Sequence, residues 1–304
     1  ITVIALLSVF IHIRSILRCQ NDGGMIASEL MSSKTHIICV IGPTASGKTA
    51  KAVSLAKEHN GEVISVDSRQ VYRMLDIGTE KASKEEMGGI PHYLIDVKDP
   101  REIYGAGDFV TDATALITDI TGRGKTPILA GGTHFYFDAL LNGLPHETPA
   151  DPEFRKTLET LSNEALFARI QAQDPQRAEK IDPHNRRRLT RALEVIEKHG
   201  RVPERTSPDV YEVEWVALMP EREELRERLE KRLKDAFTKG LIEEVRQVRA
   251  YVGDERLNEL GLEYKIIGEY LRGERGEESL IPTLTAKLWQ YAKHQMKWMR
   301  KLQA

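Results

Sequence analysis

The chain has 304 residues, 40% of them apolar and 30% charged, and a net charge of −2. This is the composition of an ordinary globular protein with a real core, and its near-zero charge means that any polyanion site must come from local clusters of basic side chains. Two cysteines, Cys19 and Cys39, exclude a disulfide framework and a cysteine-built zinc site, and Cys39 reads as a small buried residue in a reducing compartment.

Residues 1–34 are read as a leader outside the fold. Ile1 to Ile13 is almost wholly apolar but too short to span a bilayer, and Arg14 and Arg18 follow it, the wrong order for a secretory signal. Position 1 is not Met, while Met25 and Met31 stand just before the fold. The preferred reading is upstream sequence translated with the gene; an organelle-type leader or membrane anchor is the alternative.

Thr35-His36-Ile37-Ile38-Cys39-Val40-Ile41 is an apolar, β-branched run that predicts a buried strand. Gly42-Pro43-Thr44-Ala45-Ser46-Gly47-Lys48-Thr49 follows and fits G-x-x-x-x-G-K-[ST], the phosphate-binding loop. Ala50 to His59 then predicts a helix that stops at Asn60-Gly61. In this context backbone N–H groups surround an anion at the positive end of a helix. Lys48 adds a point charge, and the Thr49 hydroxyl can hold Mg²⁺.

Glu62 to Asp67 predicts a second buried strand, ending in a carboxylate one strand over from the loop. Strand carboxyl ends line the ligand crevice of parallel α/β sheets, so Asp67 belongs near the loop. His92 to Val97 predicts a third strand, containing a second candidate carboxylate, Asp96. An amphipathic helix over 106–120 precedes a fourth strand at 126–130. The turn Gly131-Gly132-Thr133 then opens another helix, carrying Phe135, Phe137 and Leu140. This alternation predicts a P-loop NTPase-like α/β fold, a doubly wound parallel sheet.

From 142 to 211 the prolines and helical patterns predict an inserted all-helical domain; residues 35–141 and 212–304 form the α/β core. The clearest helix of the insertion is predicted to start at Asp182-Pro183 and stop at Gly200, with Arg186, Arg187, Arg188 and Arg191 crowding its first turns. Cations there oppose the helix dipole, which favours an anionic partner over a merely solvated face. Trp215 to Leu218 returns to strand character, and Glu221 to Thr238 predicts a long charged helix with Leu225, Leu229 and Leu233 on one face. The final helix, about 282–302, interleaves Lys287, Lys293, His294, Lys297, Arg300 and Lys301 with Trp289 and Trp298. That pattern suits RNA, and equally a basic surface over core tryptophans.

A phosphate loop facing a strand-end carboxylate allows three chemistries. The carboxylate can activate a hydroxyl for a small-metabolite kinase, or take a proton from a nucleophile while a diphosphate departs; alternatively the loop is only the grip of an RNA-binding protein.

The set of motifs resembles one family. The loop itself, Ser65-Val66-Asp67-Ser68 with Val71-Tyr72, and Asp76-Ile77-Gly78-Thr79-Glu80-Lys81 are all similar to the tRNA dimethylallyltransferases (tRNA isopentenyltransferases). So are Pro91-His92-Tyr93-Leu94, Ala106-Gly107-Asp108-Phe109, Gly131-Gly132-Thr133 with Tyr136, Arg188 to Glu194, Gly240 to Val245, and Tyr291 to Gln295. The resemblance runs from about residue 34 to the C-terminus. It departs at Leu288-Trp289, where members commonly carry Thr-Arg, and at Glu263, where many carry Gly before Tyr264-Lys265.

The resemblance implies transfer of a dimethylallyl group from dimethylallyl diphosphate to N6 of adenosine 37, beside the anticodon, with the base flipped into a channel. It implies Asp67 as general base, Thr44–Thr49 with Mg²⁺ on the diphosphate, Arg222 reaching the diphosphate, and Thr133 beside the tRNA. It further implies Asp67, Ser68, Arg69, Gln70, Arg187, Arg188, Leu189, Thr190, Arg191, Lys265, Lys293 and His294 as tRNA contacts. The partner is the anticodon stem-loop, and the expected protein is a cytoplasmic monomer without membrane attachment.

Overall fold

The computed structural model describes residues 34–144, 148 and 151–302; residues 1–33 of the leader lie outside them. A five-stranded sheet has the order β3-β2-β4-β1-β5, with β1 Thr35–Ile41, β2 Gly61–Val66, β3 His92–Tyr93, β4 Thr126–Gly131 and β5 Tyr211–Ala217. The β1–β4, β2–β4 and β2–β3 pairs are parallel. Central parallel strands are covered on both faces, which explains why β1 reads as an unbroken apolar run. Ile37, Cys39 and Ile41 enter the larger core, while Ile38 and Val40 enter a smaller one beneath helix α1, Lys48–Glu58.

The third strand is much shorter than predicted. It keeps only His92 and Tyr93, because Leu94 and Asp96 take positive φ (60° and 57°) and turn the chain away. Asp96 is spent there as a partner of the buried ammonium of Lys81, together with Asp76, so it is not a site carboxylate. Helix α2, Lys84–Met87, lies on this connection, and α3, Ala106–Gly122, packs Phe109, Ala113, Ile117 and Ile120 into the larger core.

After β4 comes α4, His134–Asn142. Between α4 and β5 the described residues form α5 Pro152–Glu159, α6 Asn163–Gln173, α7 Pro175–Ala178 and α8 Arg186–His199, gathered around an apolar cluster of their own that includes Leu158, Leu166, Ile170, Leu189 and Leu193. Helix α8 starts three residues later than predicted, with Asn185 rather than Asp182 as its cap. Asp182 Oδ1 accepts from His184 N and closes a local turn, while Asn185 caps the helix by accepting from Arg188 N at 3.1 Å.

Helices α9 Arg222–Thr238, α10 Leu241–Glu259, α11 Leu262–Leu271 and α12 Leu280–Leu302 complete the core. Trp298 lies 5.3 Å from His134 and 6.3 Å from Trp215, centroid to centroid, and Trp289 also packs on the larger core. The tryptophans of α12 are therefore core residues, and its basic side chains Lys287, Lys293, His294, Lys297 and Arg300 are the exposed ones. Among the described residues no helix is long and apolar enough to cross a membrane.

Candidate active site

Register assembles the site. Ile41 and Val66 both pair with Gly131, so β1, β4 and β2 end at one level. The segments that follow, Gly42–Thr49, Gly131–Thr133 and Asp67–Gln70, emerge side by side. Because β4 lies between them, β1 and β2 are two strands apart rather than the one expected. At the usual strand spacing that is roughly 10 Å, a crevice open at the carboxyl edge of the sheet, where α/β sheets bind ligands.

On one side lies the glycine loop. Lys48 Nζ donates to Pro43 O at 2.7 Å. Burial pushes its ammonium down to about 8, with Asp67 pulling it back up and Arg232 pushing it further down. Ser46 Oγ is buried without a hydrogen-bond partner, a donor available to an anion seated in the loop. Thr49 stands half-buried in the first turn of α1.

On the other side Asp67 Oδ1 accepts from the backbone N–H groups of Arg69 (2.8 Å) and Gln70 (3.2 Å). This turn fixes the carboxylate and leaves Oδ2 for other work. The acid and Lys48 lie within each other's field across the crevice. Thr133 Oγ1 accepts from Ser68 N at 3.1 Å, and Thr133 N donates to Val66 O. Asp67, Ser68 and Thr133 are thus held together as one unit.

Two residues outside the predicted set complete the crevice. Gln295, buried on α12, accepts from Thr44 N at 3.0 Å and donates to Gly132 O at 2.9 Å, buckling the two glycine turns together. A side chain at Gly132 would sit 2.5 Å from Gln295 Nε2, so the buckle requires glycine there. Arg232 of α9 donates from Nη1 to Thr44 Oγ1 and pairs through Nε with Glu80. Arg222, expected at this place, is exposed at the first turn of the same helix. Ten residues of helix span about 15 Å, which separates the two arginines. The signal for Arg232 was in the sequence: it lies seven residues after Leu225, on the stripe that Leu225 and Leu229 bury.

The expected RNA contacts divide. Lys265, Lys293, His294, Arg187 and Arg188 are exposed, and Ser68, Arg69 and Thr190 are half-buried. Gln70 is committed within the protein: its amide donates to the carbonyls of Thr79 and Glu80 and its oxygen accepts from Ser65 Oγ. Leu189 is fully buried in the helical cluster, where its side chain serves packing rather than a surface contact. Arg191 is held by Glu194 and the carbonyl of Thr148, and Arg186 by the carbonyls of Leu158, Glu159 and Leu161. Two of the four arginines crowding the start of α8 are therefore structural.

Residues 70–302 match the family model described as IPP transferase. The chain is 42% identical over 275 residues to tRNA dimethylallyltransferase 1 of Citrifermentans bemidjiense, covering 88% of this chain and 90% of that protein. It is 40% identical over 280 residues to the tRNA dimethylallyltransferase of Halalkalibacterium halodurans, covering 88% of each. Its fold matches the full-length tRNA isopentenylpyrophosphate transferase of Bacillus halodurans with a TM-score of 0.67 at 39% identity, covering 88% of this chain and 87% of that one. It also matches a eukaryotic dimethylallyltransferase acting on tRNA with a TM-score of 0.77 at 31% identity, covering 88% of this chain and 70% of that one.

Proposed function

The chain belongs to the IPP transferase family, and on that premise we propose that it transfers a dimethylallyl group from dimethylallyl diphosphate to N6 of adenosine 37 in tRNA, releasing diphosphate. The observation that carries the chemistry is the crevice itself, with the phosphate loop and Lys48 on one wall and Asp67, fixed by two backbone N–H groups, on the other.

In the reaction the adenine amine attacks the allylic carbon, the carbon–oxygen bond to diphosphate breaks, and the proton leaves the nitrogen for Asp67 Oδ2. The loop N–H groups, Lys48 and Arg232 stabilise the charge that grows on the departing diphosphate. Arg232 takes the part that the family resemblance placed at Arg222, because it is the arginine in contact with Thr44. Gln295 holds the loop to the Gly132 turn and so keeps the two walls in register.

Magnesium suits the donors present. Among the described residues no three His, Cys, Asp or Glu side chains group as a cage, and magnesium asks for few protein ligands, being carried largely by phosphate oxygens and water. The Thr49 hydroxyl would hold it beside the diphosphate, where it supplies additional charge for the leaving group.

The exocyclic amine of a stacked base cannot reach a carbon seated in this crevice, so the adenosine must be flipped out of the anticodon loop. Arg69, Lys265, Lys293 and His294 near the core, and Arg187 and Arg188 on α8, are the side chains proposed to hold the stem-loop backbone. One chain supplies every group named, so the proposed chemistry needs no second copy.

Incubating the protein with labelled dimethylallyl diphosphate, Mg²⁺ and bulk tRNA tests the reading. Label should enter tRNA and appear as N6-isopentenyladenosine after digestion. ATP consumption without labelled tRNA would overturn it in favour of a kinase.

A further inference from the structure

We propose that Glu80 is a built-in anion that competes with the substrate's diphosphate for Arg232, and so sets how tightly the site holds diphosphate before and after the reaction. The inference rests on the reading of the glycine loop as a diphosphate site.

Arg232 is largely desolvated, with 15% of its side chain exposed, and it has two partners. One edge of the guanidinium donates to Thr44 in the loop, and the Nε edge faces the Glu80 carboxylate. A guanidinium offers a fixed fork of donors, so any anion seated in the loop and reaching for the Nε edge meets Glu80 already there. Lys48 also feels both charges, so Glu80 lowers the positive potential of the loop as a whole.

The carboxylate is delivered by a rigid segment. Glu244 of α10 accepts from the backbone N–H groups of Asp76, Ile77 and Gly78 at 3.0, 2.6 and 2.9 Å, and from Tyr264 Oη at 2.7 Å. The Gln70 amide holds the carbonyls of Thr79 and Glu80, and Lys81, buried beside Asp76 and Asp96, pins the far end. Glu80 itself sits at φ 50°, a left-handed conformation unfavourable for Glu that persists only because the surrounding bonds impose it. A loose surface side chain would need none of this.

The functional logic is an exchange of anions. Bound diphosphate must displace or share Glu80, which weakens its hold. When diphosphate leaves, Glu80 re-pairs with Arg232 and offsets part of the lost attraction. Binding that is equally strong before and after reaction adds nothing to the chemical step, so an anion that trims it favours release of product.

A purely structural role predicts the opposite sign. If Glu80 only held Arg232 in place, removing its charge would loosen the arginine and weaken diphosphate binding. The test uses the full chain with Mg²⁺ and inorganic pyrophosphate as the probe. Glu80→Gln should lower the inhibition constant of pyrophosphate, and the KM for dimethylallyl diphosphate, by about fivefold, the scale of a partly exposed ion pair. In an Arg232→Ala background the same substitution should change neither, because the effect runs through that arginine. An unchanged or raised inhibition constant in Glu80→Gln would overturn the proposal, as would a tightening that persists without Arg232. If the unmodified protein binds no pyrophosphate, the diphosphate reading itself fails, and this inference with it.

Discussion

At the residue scale the site turns on a carboxylate whose geometry is local and a lysine whose charge is not. The turn at Asp67 uses only Oδ1, and an asparagine can keep it through its amide oxygen. Asp67→Asn should therefore preserve the fold and tRNA retention on filters while lowering turnover by about 10²-fold or more, since proton transfer by a positioned base is worth about that much. Retention of full turnover would place the base elsewhere. Lys48 supplies a pH dependence of definite sign. Burial holds its ammonium down at about 8, with Asp67 acting in the opposite direction. Its positive charge is thus present below about pH 8 in the free protein and lost above it. Diphosphate affinity should fall as pH rises through that value, and binding at higher pH should take up a proton, readable by calorimetry in buffers of different ionisation enthalpy. Lys48→Arg should abolish the break, because arginine does not titrate there. The loop, Asp67 and Thr133 were legible because their signals are short-range: a strand, a glycine turn and the residue that follows. For Arg232 the sequence showed only its place on the buried stripe of α9, and neither its contact with the loop nor that of Gln295 was legible, because they reach Thr44 from 188 and 251 residues away in the chain.

At the scale of elements, the sequence misled wherever local hydrogen bonding overrode an apolar pattern. His92 to Val97 carries the apolar run of a strand, yet Leu94 and Asp96 adopt left-handed backbone and Lys81 claims the Asp96 carboxylate. Asp182-Pro183 looks like a helix start, yet Asp182 closes its own turn and Asn185 does the capping. Strands β1, β2 and β4 were legible because burial on both faces leaves a continuous signal, and α1 because it follows the glycine loop and buries one apolar face. The segment 76–81 holds neither helix nor strand, and its order comes from elsewhere: one carboxylate, Glu244, gathers three of its N–H groups. This clamp explains a glycine. A Cβ at Gly78 would lie 2.8 Å from Tyr264 Oη and 2.9 Å from its ring carbon, and Tyr264 is buried. Gly78→Ala should cost about 1–3 kcal/mol in urea unfolding, the usual penalty for forcing atoms into a packed site. It should also lower the KM for dimethylallyl diphosphate, since the displaced loop carries Glu80 away from Arg232. A wild-type midpoint and KM would show that the segment yields without consequence.

At the scale of the molecule, near-zero net charge leaves RNA recognition to a few side chains that are both basic and free to reach out. Charge counting on α8 overstates their number. Arg186 is spent on the carbonyls at the end of α5, and Arg191 on Glu194, which is itself buried and held by Arg155. Arg187 and Arg188 remain exposed on the helical insertion, beside a cluster that packs independently of the sheet. Sequence alone could not separate these pairs, because a buried carboxylate three residues along the helix looks like any other charged position. The distinction predicts different failures. Each phosphate contact releases about one counterion, so Arg188→Ala should weaken tRNA binding at low salt and reduce the slope of log affinity against log salt by about one, with the melting temperature unchanged. Arg191→Ala should instead leave Glu194 with one fewer partner and Thr148 without its donor. It should lower stability by about 1–3 kcal/mol, the cost of unpairing groups around a buried charge, while leaving the salt slope as it was. Measuring filter binding across a salt series beside thermal unfolding for both variants separates the two. An unaltered slope in Arg188→Ala would remove that residue from the RNA surface, and a shallower slope in a fully stable Arg191→Ala would return Arg191 to it.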